Sequence, residues 1–243
     1  MNKTSEPLFN VPGVVLAIVG ICVLVRAGEA FLLSAEDEVA FLYGFGFVPA
    51  RYDSSLLPPG ALPGGTGADI WTFVTYAFIH GDITHLGMNA LWFLPFGSAV
   101  ARRFGNLRTL GFFVVTAVAG ALMHLVTHWG EVVPMIGASA AVSGFMAGAI
   151  RFAFQHGGPL TVFRPDEPEA YLVPAAPLSS ALRDSRIVVF LLAWFGMNLV
   201  FGIVGVGTPG AEQSVAWQAH IGGFLAGLLL FPLFDPVPAQ AES

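Results

Sequence analysis

Apolar residues in this chain arrive in long blocks almost free of charge, and that pattern excludes most soluble folds. A helix needs about 17–25 such residues to cross a hydrocarbon core of about 30 Å. Six blocks qualify: Val11 to Leu33, Ile83 to Val100, Leu107 to His128, Met135 to Phe154, Ile187 to Val206 and Trp217 to Phe234. Composition agrees. Only 11% of residues are charged, against about 25% in a typical soluble domain, and 55% are hydrophobic. The expected fold class is an all-α, polytopic membrane protein, with residues 1–10 as a short N-terminal segment, 11–235 as a six-span domain and 236–243 as a tail. The first block is too long for the h-region of a signal peptide and reads as the first span. The few scattered basic residues point to no nucleic acid partner, and the single Cys22 excludes an intrachain disulfide and a cysteine-based metal site.

Loop charge orients the spans. Lys3, Arg102, Arg103, Arg108, Arg151, Arg164, Arg183 and Arg186, eight of the ten basic residues, fall on one side; Arg26 and Arg51 fall on the other. The positive-inside rule then places both termini in the cytoplasm. The compact size points to a bacterial inner membrane. Between the first two spans, Ser34 to Asp82 is too apolar for a floppy linker. It is also too broken by Leu57-Pro58-Pro59-Gly60 and Pro63-Gly64-Gly65 to be a span, and reads as a loop lying partly in the membrane interface. Gly157 to Asp184 reads as an ordinary connecting loop.

Strongly polar groups inside a bilayer are costly and therefore mark candidate functional positions. They are His80, His85, Asn89, His124, His128, Ser139, Ser143, Asn198 and His220. Spans two, four and six enter from the same side, which puts His85 with Asn89, Ser139, and His220 at nearly one depth. Ser139 sits in Gly137-Ala138-Ser139-Ala140-Ala141-Val142-Ser143-Gly144 and is either a packing residue or a buried nucleophile. His85 and Asn89, four apart, share a helix face and both can donate hydrogen bonds. That pair fits either a donor site for a developing oxyanion or bonds between helices. Ala219, Gly223 and Gly227 form a small-residue stripe, as do Ala140, Gly144 and Gly148. Such stripes let membrane helices approach closely, which would bring His220 towards Ser139 as a general base. No acidic residue is expected at this depth, so the residues allow a Ser-His dyad rather than a triad. The Gly-x-Ser-x-Gly elbow of soluble hydrolases fails at Ala141. His124 and His128 have a spacing that can hold a metal, but with only Glu131 in the following loop as a third ligand, interface polarity is the preferred reading and no metal site is expected.

The pattern resembles the rhomboid family of intramembrane serine proteases. It matches in His80-x-x-x-x-His85-x-x-x-Asn89, in Gly137-x-Ser139, and in Ala219-His220-x-x-Gly223-x-x-x-Gly227, over about Trp71 to Leu230. The resemblance implies a six-helix bundle that cleaves transmembrane protein substrates at or near the bilayer surface. Ser139 would be the nucleophile and His220 its base. His85, Asn89 and the Ser139 backbone N–H would form the oxyanion hole, Gly137 would give room for the substrate backbone and His80 would support the first loop. Neither metal nor organic cofactor is implied. Three family features are missing: the Arg after Trp71 is Thr72, a Glu near the end of the second span is Ala101, and the aromatic four residues after the nucleophile is Ser143. The alternatives are a catalytically silent rhomboid-like protein that binds membrane clients, and a small transporter, which would need polar groups through the full bilayer depth.

Overall fold

A computed structural model describes residues 10–161, 168–204 and 216–238. Among these the fold is helical: α1 (Gly13–Leu32), α2 (Ala35–Phe45), α3 (Ala68–Thr75), α4 (Ile83–Phe104), α5 (Asn106–Thr127), α6 (Ser139–Ala149), α7 (Leu178–Ala181), α8 (Ser185–Val204) and α9 (Trp217–Phe234). The one strand-like contact among them is an isolated antiparallel bridge between Phe47 and Met135. Against six expected spans, α1, α5 and α9 are long and apolar enough to cross a membrane, α6 is a shorter apolar helix, and α8 is apolar over Ser185–Val200. α4 is as long as α5 but carries His85, Asn89 and a terminal Arg102-Arg103. The protein is an integral, multi-pass membrane helical bundle.

The fourth block departs most from expectation. Instead of running from Met135 to Phe154, α6 is an 11-residue helix, about 16 Å long and so about half the hydrocarbon thickness. Met135 is held in the bridge to Phe47, and Gly137, at φ +113°, has a backbone no helix accepts. A helix this short can sit at membrane depth because protein surrounds it. Every residue from Ala140 to Ala149 is buried.

Small residues make that enclosure possible. A Cβ on Gly223 would lie 2.0 Å from the Ala140 carbonyl oxygen, and one on Gly227 would lie 2.2 Å from that of Gly144. On the opposite side, a Cβ on Gly120 of α5 would lie 2.4 Å from Ala140 Cβ. α6 is thus clamped between α9 and α5 at near backbone contact, a geometry that any larger side chain at Gly223 or Gly227 would separate. Below the glycines, Phe145 meets Phe93 and Phe112 edge-on at 5.1 Å each, the arrangement aromatic quadrupoles favour.

The segment expected as a broken interfacial loop is ordered. Ser34 caps α2 by accepting from the Asp37 N–H at 3.2 Å, and Glu36, Asp37 and Glu38 fill its first turn, where the helix dipole favours acids. Arg51 then gathers the rest, donating to the carbonyls of Tyr43 (2.6 Å), Pro63 (2.9 Å) and Gly65 (3.2 Å). Trp71 Nε1 donates to the Gly44 carbonyl at 2.8 Å. Arg51 therefore does, from another position, the tying that Thr72 cannot. The Gly157 to Asp184 connection is likewise more than a plain loop where it is described. It contains a 3-10 turn at Pro168–Tyr171 and the short α7.

At the far end of the bundle Arg103 closes α4 onto α9. Its Nε and one terminal nitrogen donate to the two oxygens of Asp235, both at 2.8 Å, and its other terminal nitrogen donates to the carbonyls of Tyr171 and Val173, both at 2.7 Å. Arg151 adds bonds to the carbonyls of Ala176 (3.0 Å) and Leu228 (3.1 Å). With Ala101 in place of an acid, this bidentate pair secures that end. Glu29, close to the C-terminus of α1, is 5% exposed, because Arg26 one turn earlier pairs with it at 3.5 Å.

Candidate active site

Four chain segments converge at the start of α6. Asp82 caps α4, accepting from the N–H groups of Thr84 (2.7 Å) and His85 (2.8 Å), and so fixes where His85 and Asn89 point. The Gly137 N–H donates to the Tyr76 carbonyl at 2.9 Å, and the Tyr76 hydroxyl donates to the Ala117 carbonyl at 2.9 Å. These bonds hold the turn before Ser139 against α5. At Gly137 a Cβ would lie 2.6 Å from His85 Nε2 and 3.9 Å from Asn89 Nδ2. Both donors therefore face the bare side of that glycine, two residues ahead of Ser139. His80, fully buried, accepts from the Ala138 N–H through Nε2 at 3.5 Å and packs edge-on to His85 at 5.0 Å. Burial, followed by the nearness of His85, pushes the His80 imidazole down to about 4.

Ser139 and His220 meet. The Ser139 Oγ to His220 Nε2 distance is 2.7 Å, and both residues are half-buried. The contact follows from the α6–α9 clamp, since Gly223 on Ala140 leaves His220, one turn earlier on α9, alongside Ser139. Ser139 is the first residue of α6, where a backbone N–H has no carbonyl partner within its own helix. Ala138, the cap residue, offers no side-chain bond to that end.

The other ring nitrogen of His220 is held by a residue to which the sequence assigns no role. His220 Nδ1 is hydrogen-bonded to Asn198 Oδ1, while Asn198 Nδ2 donates to the Trp194 carbonyl at 2.8 Å. A carbonyl only accepts, so the amide nitrogen must face Trp194 and the oxygen must face His220. An acceptor at Nδ1 places the ring proton there, leaving Nε2 with its lone pair towards the serine hydroxyl. The register has a simple origin. Trp194 stacks on Phe224 at 4.7 Å, and one turn from each, in opposite chain directions, stand Asn198 and His220. Counting depth along α8 would have exposed Asn198, which lies about 20 Å from Ser185 at 1.5 Å per residue, near the same end of the bundle as Ser139.

Among the described residues Ser143 makes no hydrogen bond to His220, whose ring bonds go to Ser139 and Asn198. The Ser143 hydroxyl donates to the Ser139 carbonyl at 2.7 Å on its own helix, and Phe145 packs with the phenylalanine core. Among the described residues no aromatic ring stacks on His220. His124 and His128 form a separate pair at the end of α5.

The rhomboid domain family matches residues 67–235 of the chain. The chain is 25% identical over 210 residues to RHOMBOID-like protein 4 of Arabidopsis thaliana, covering 81% of this chain and 45% of that protein. It is 24% identical over 115 residues to the rhomboid protease GlpG of Haemophilus influenzae, covering 47% and 51%. To the mitochondrial rhomboid protein 1 of Saccharomyces cerevisiae it is 33% identical over 162 residues, covering 63% and 38%. The chain thus spans about half the length, or less, of these relatives.

Proposed function

The chain belongs to the rhomboid family, and on that premise we propose that it is an intramembrane serine endopeptidase that hydrolyses peptide bonds in or beside transmembrane segments of membrane-protein substrates. The observation that carries this reading is the 2.7 Å contact between Ser139 Oγ and an imidazole nitrogen whose lone pair is turned towards it. Ser139 Oγ attacks the scissile carbonyl carbon while His220 Nε2 takes its proton. The negative charge that forms on the carbonyl oxygen is met by donors from His85, Asn89 and the Ser139 backbone N–H. The C–N bond breaks as His220 returns the proton to the leaving amine. Water then attacks the acyl-serine, again deprotonated by His220, and releases the acid and the free serine. Gly137 leaves a groove where the substrate backbone can reach the oxyanion donors, and His80 fixes the segment in front of it. Asn198 holds His220 in its reactive tautomer, a positioning role. No metal or organic cofactor takes part in these steps. Both termini lie on the cytoplasmic side of a bacterial inner membrane, with the site near the opposite surface.

The experiment is cleavage of a single-span model substrate by the purified protein in liposomes. The wild type is expected to cut it and Ser139→Ala to leave it intact. Equal cleavage by the two would overturn the proposal. No cleavage by either, with substrate bound, would favour a silent client-binding protein.

A further inference from the structure

A second cluster of ligand-forming side chains lies outside the Ser139–His220 site. His124 and His128 stand one turn apart at the end of α5 with their rings stacked at 4.2 Å. Glu131 follows in the next turn, its Oε2 3.9 Å from His128 Nε2. One ligand atom from each of the three lies within 4.8 Å of the other two. His124 is 5% exposed, yet its Nδ1 has no hydrogen-bond partner, although buried polar atoms ordinarily have one. The second nitrogen of His128, Nδ1, is held by Thr127 Oγ1 at 2.8 Å. That leaves Nε2 turned to Glu131, and metal-ligating histidines are commonly oriented in this way by a bond at their other nitrogen.

We propose that His124, His128 and Glu131 bind a divalent transition metal of the zinc type, with a fourth position open to water. Two imidazoles and one carboxylate suit such an ion better than Mg²⁺ or Ca²⁺, which take oxygen ligands. Ligand atoms around one tetrahedral zinc lie about 3.4 Å apart, so atoms up to 4.8 Å apart must close by as much as roughly 1.4 Å. The Glu131 side chain, 40% exposed, is free to rotate towards the two rings, and the His rings close the rest by turning about their own side-chain bonds; the same opening gives the ion a way in. The ion would join the end of α5 to a segment already tied to the first loop. The Ala50 N–H donates to the Glu131 carbonyl at 2.8 Å, and Phe47 and Met135 exchange bonds of 3.0 and 2.8 Å. That segment leads directly to Gly137 and Ser139, so the metal stiffens the approach to the site without entering the reaction. The site does not depend on the proposed peptidase activity, and neither does its test.

Full-length protein in detergent, stripped with a chelator, is titrated calorimetrically with Zn²⁺. One site per chain is expected, weakened at least tenfold by Glu131→Gln and by His128→Ala separately. Glu131→Gln alters a partly exposed side chain, so loss of binding there does not reflect misfolding. Co²⁺ in place of Zn²⁺ should give the intense visible bands of a four-coordinate ion in the wild type and only the pale six-coordinate spectrum in Glu131→Gln. Identical Zn²⁺ titrations for wild type and the Glu131→Gln/His128→Ala double variant, or no binding by the wild type, would overturn the assignment.

Discussion

The two ends of the bundle are built from similar materials for opposite purposes. At one end Arg103 commits its guanidinium to Asp235 and to two carbonyls. Arg151 bridges the segment after α6 to α9 through the carbonyls of Ala176 and Leu228. At the other end the polar groups are incompletely committed. His220 turns a basic nitrogen to a hydroxyl, His85 and Asn89 face a bare glycine, and the first N–H of α6 has no helical acceptor. A buried ion pair satisfied on every side locks helices; donors left facing a cleft can act on something else. α4 and α9 run between both ends, and the short α6 is clamped along α9, so the lock at one end fixes the register of the groups at the other.

The largest effect should come from the reactive end. Ser139→Ala and His220→Ala are each expected to lower kcat by more than about 10³-fold, and the double variant should be no worse than either, since groups that act as a unit are not additive. Turnover by initial-rate assay checks this; additive losses would dissolve the unit. Next, Arg103→Met should cost about 3–5 kcal/mol of stability by leaving Asp235 unpaired, read from denaturant unfolding in mixed micelles. Arg103→Met/Asp235→Leu should recover much of it. Little change in either would make the two ends alike.

A third test uses pH. Free imidazole titrates near 6.5, and burial holds the His80 ring down at about 4. The unfolded chain therefore takes up the proton first as pH falls. The stability from neutral His80 is complete above pH 6.5 and is lost progressively between 6.5 and 4, up to about 3 kcal/mol. Thermal unfolding midpoints across that window should fall for the wild type and stay flatter in His80→Gln. The smallest effect is assigned to Asn198→Ala, which frees the His220 tautomer. It should lower kcat about tenfold, roughly 1.4 kcal/mol of barrier, with KM unchanged, whereas a purely structural role would reduce the folded fraction and leave its kcat intact.

Much of this organisation can be read from the sequence where one physical signal dominates. The boundaries of α1, α5 and α9 follow hydropathy because nothing interrupts them. The meeting of Ser139 and His220 was foreshadowed by matching depth and by the stripes at Ala140, Gly144, Gly223 and Gly227, which code for close helix contact. The limits of α6 were hidden because hydropathy continues unchanged through Met135 and Ile150, where the backbone turns. That turn depends on Phe47, far away in sequence. Arg51 escaped notice for the same reason: its partners are backbone carbonyls, which no side-chain pattern reveals. Glu29 lies inside the first apolar block, and Arg26 one turn earlier is the cue to its pairing within the helix. Asn198 was visible as a costly polar residue, but its purpose needed the stacking of Trp194 on Phe224 to set the register of α8 against α9.

The central claim is that His220 activates Ser139. Its most direct test is labelling of the full-length protein by a serine-reactive fluorophosphonate, with the modified residue located by peptide mass spectrometry. The account predicts one adduct, on Ser139, formed equally in Ser143→Ala and at least a hundredfold more slowly in His220→Ala. An adduct on another hydroxyl, or equal labelling rates with and without His220, would contradict it.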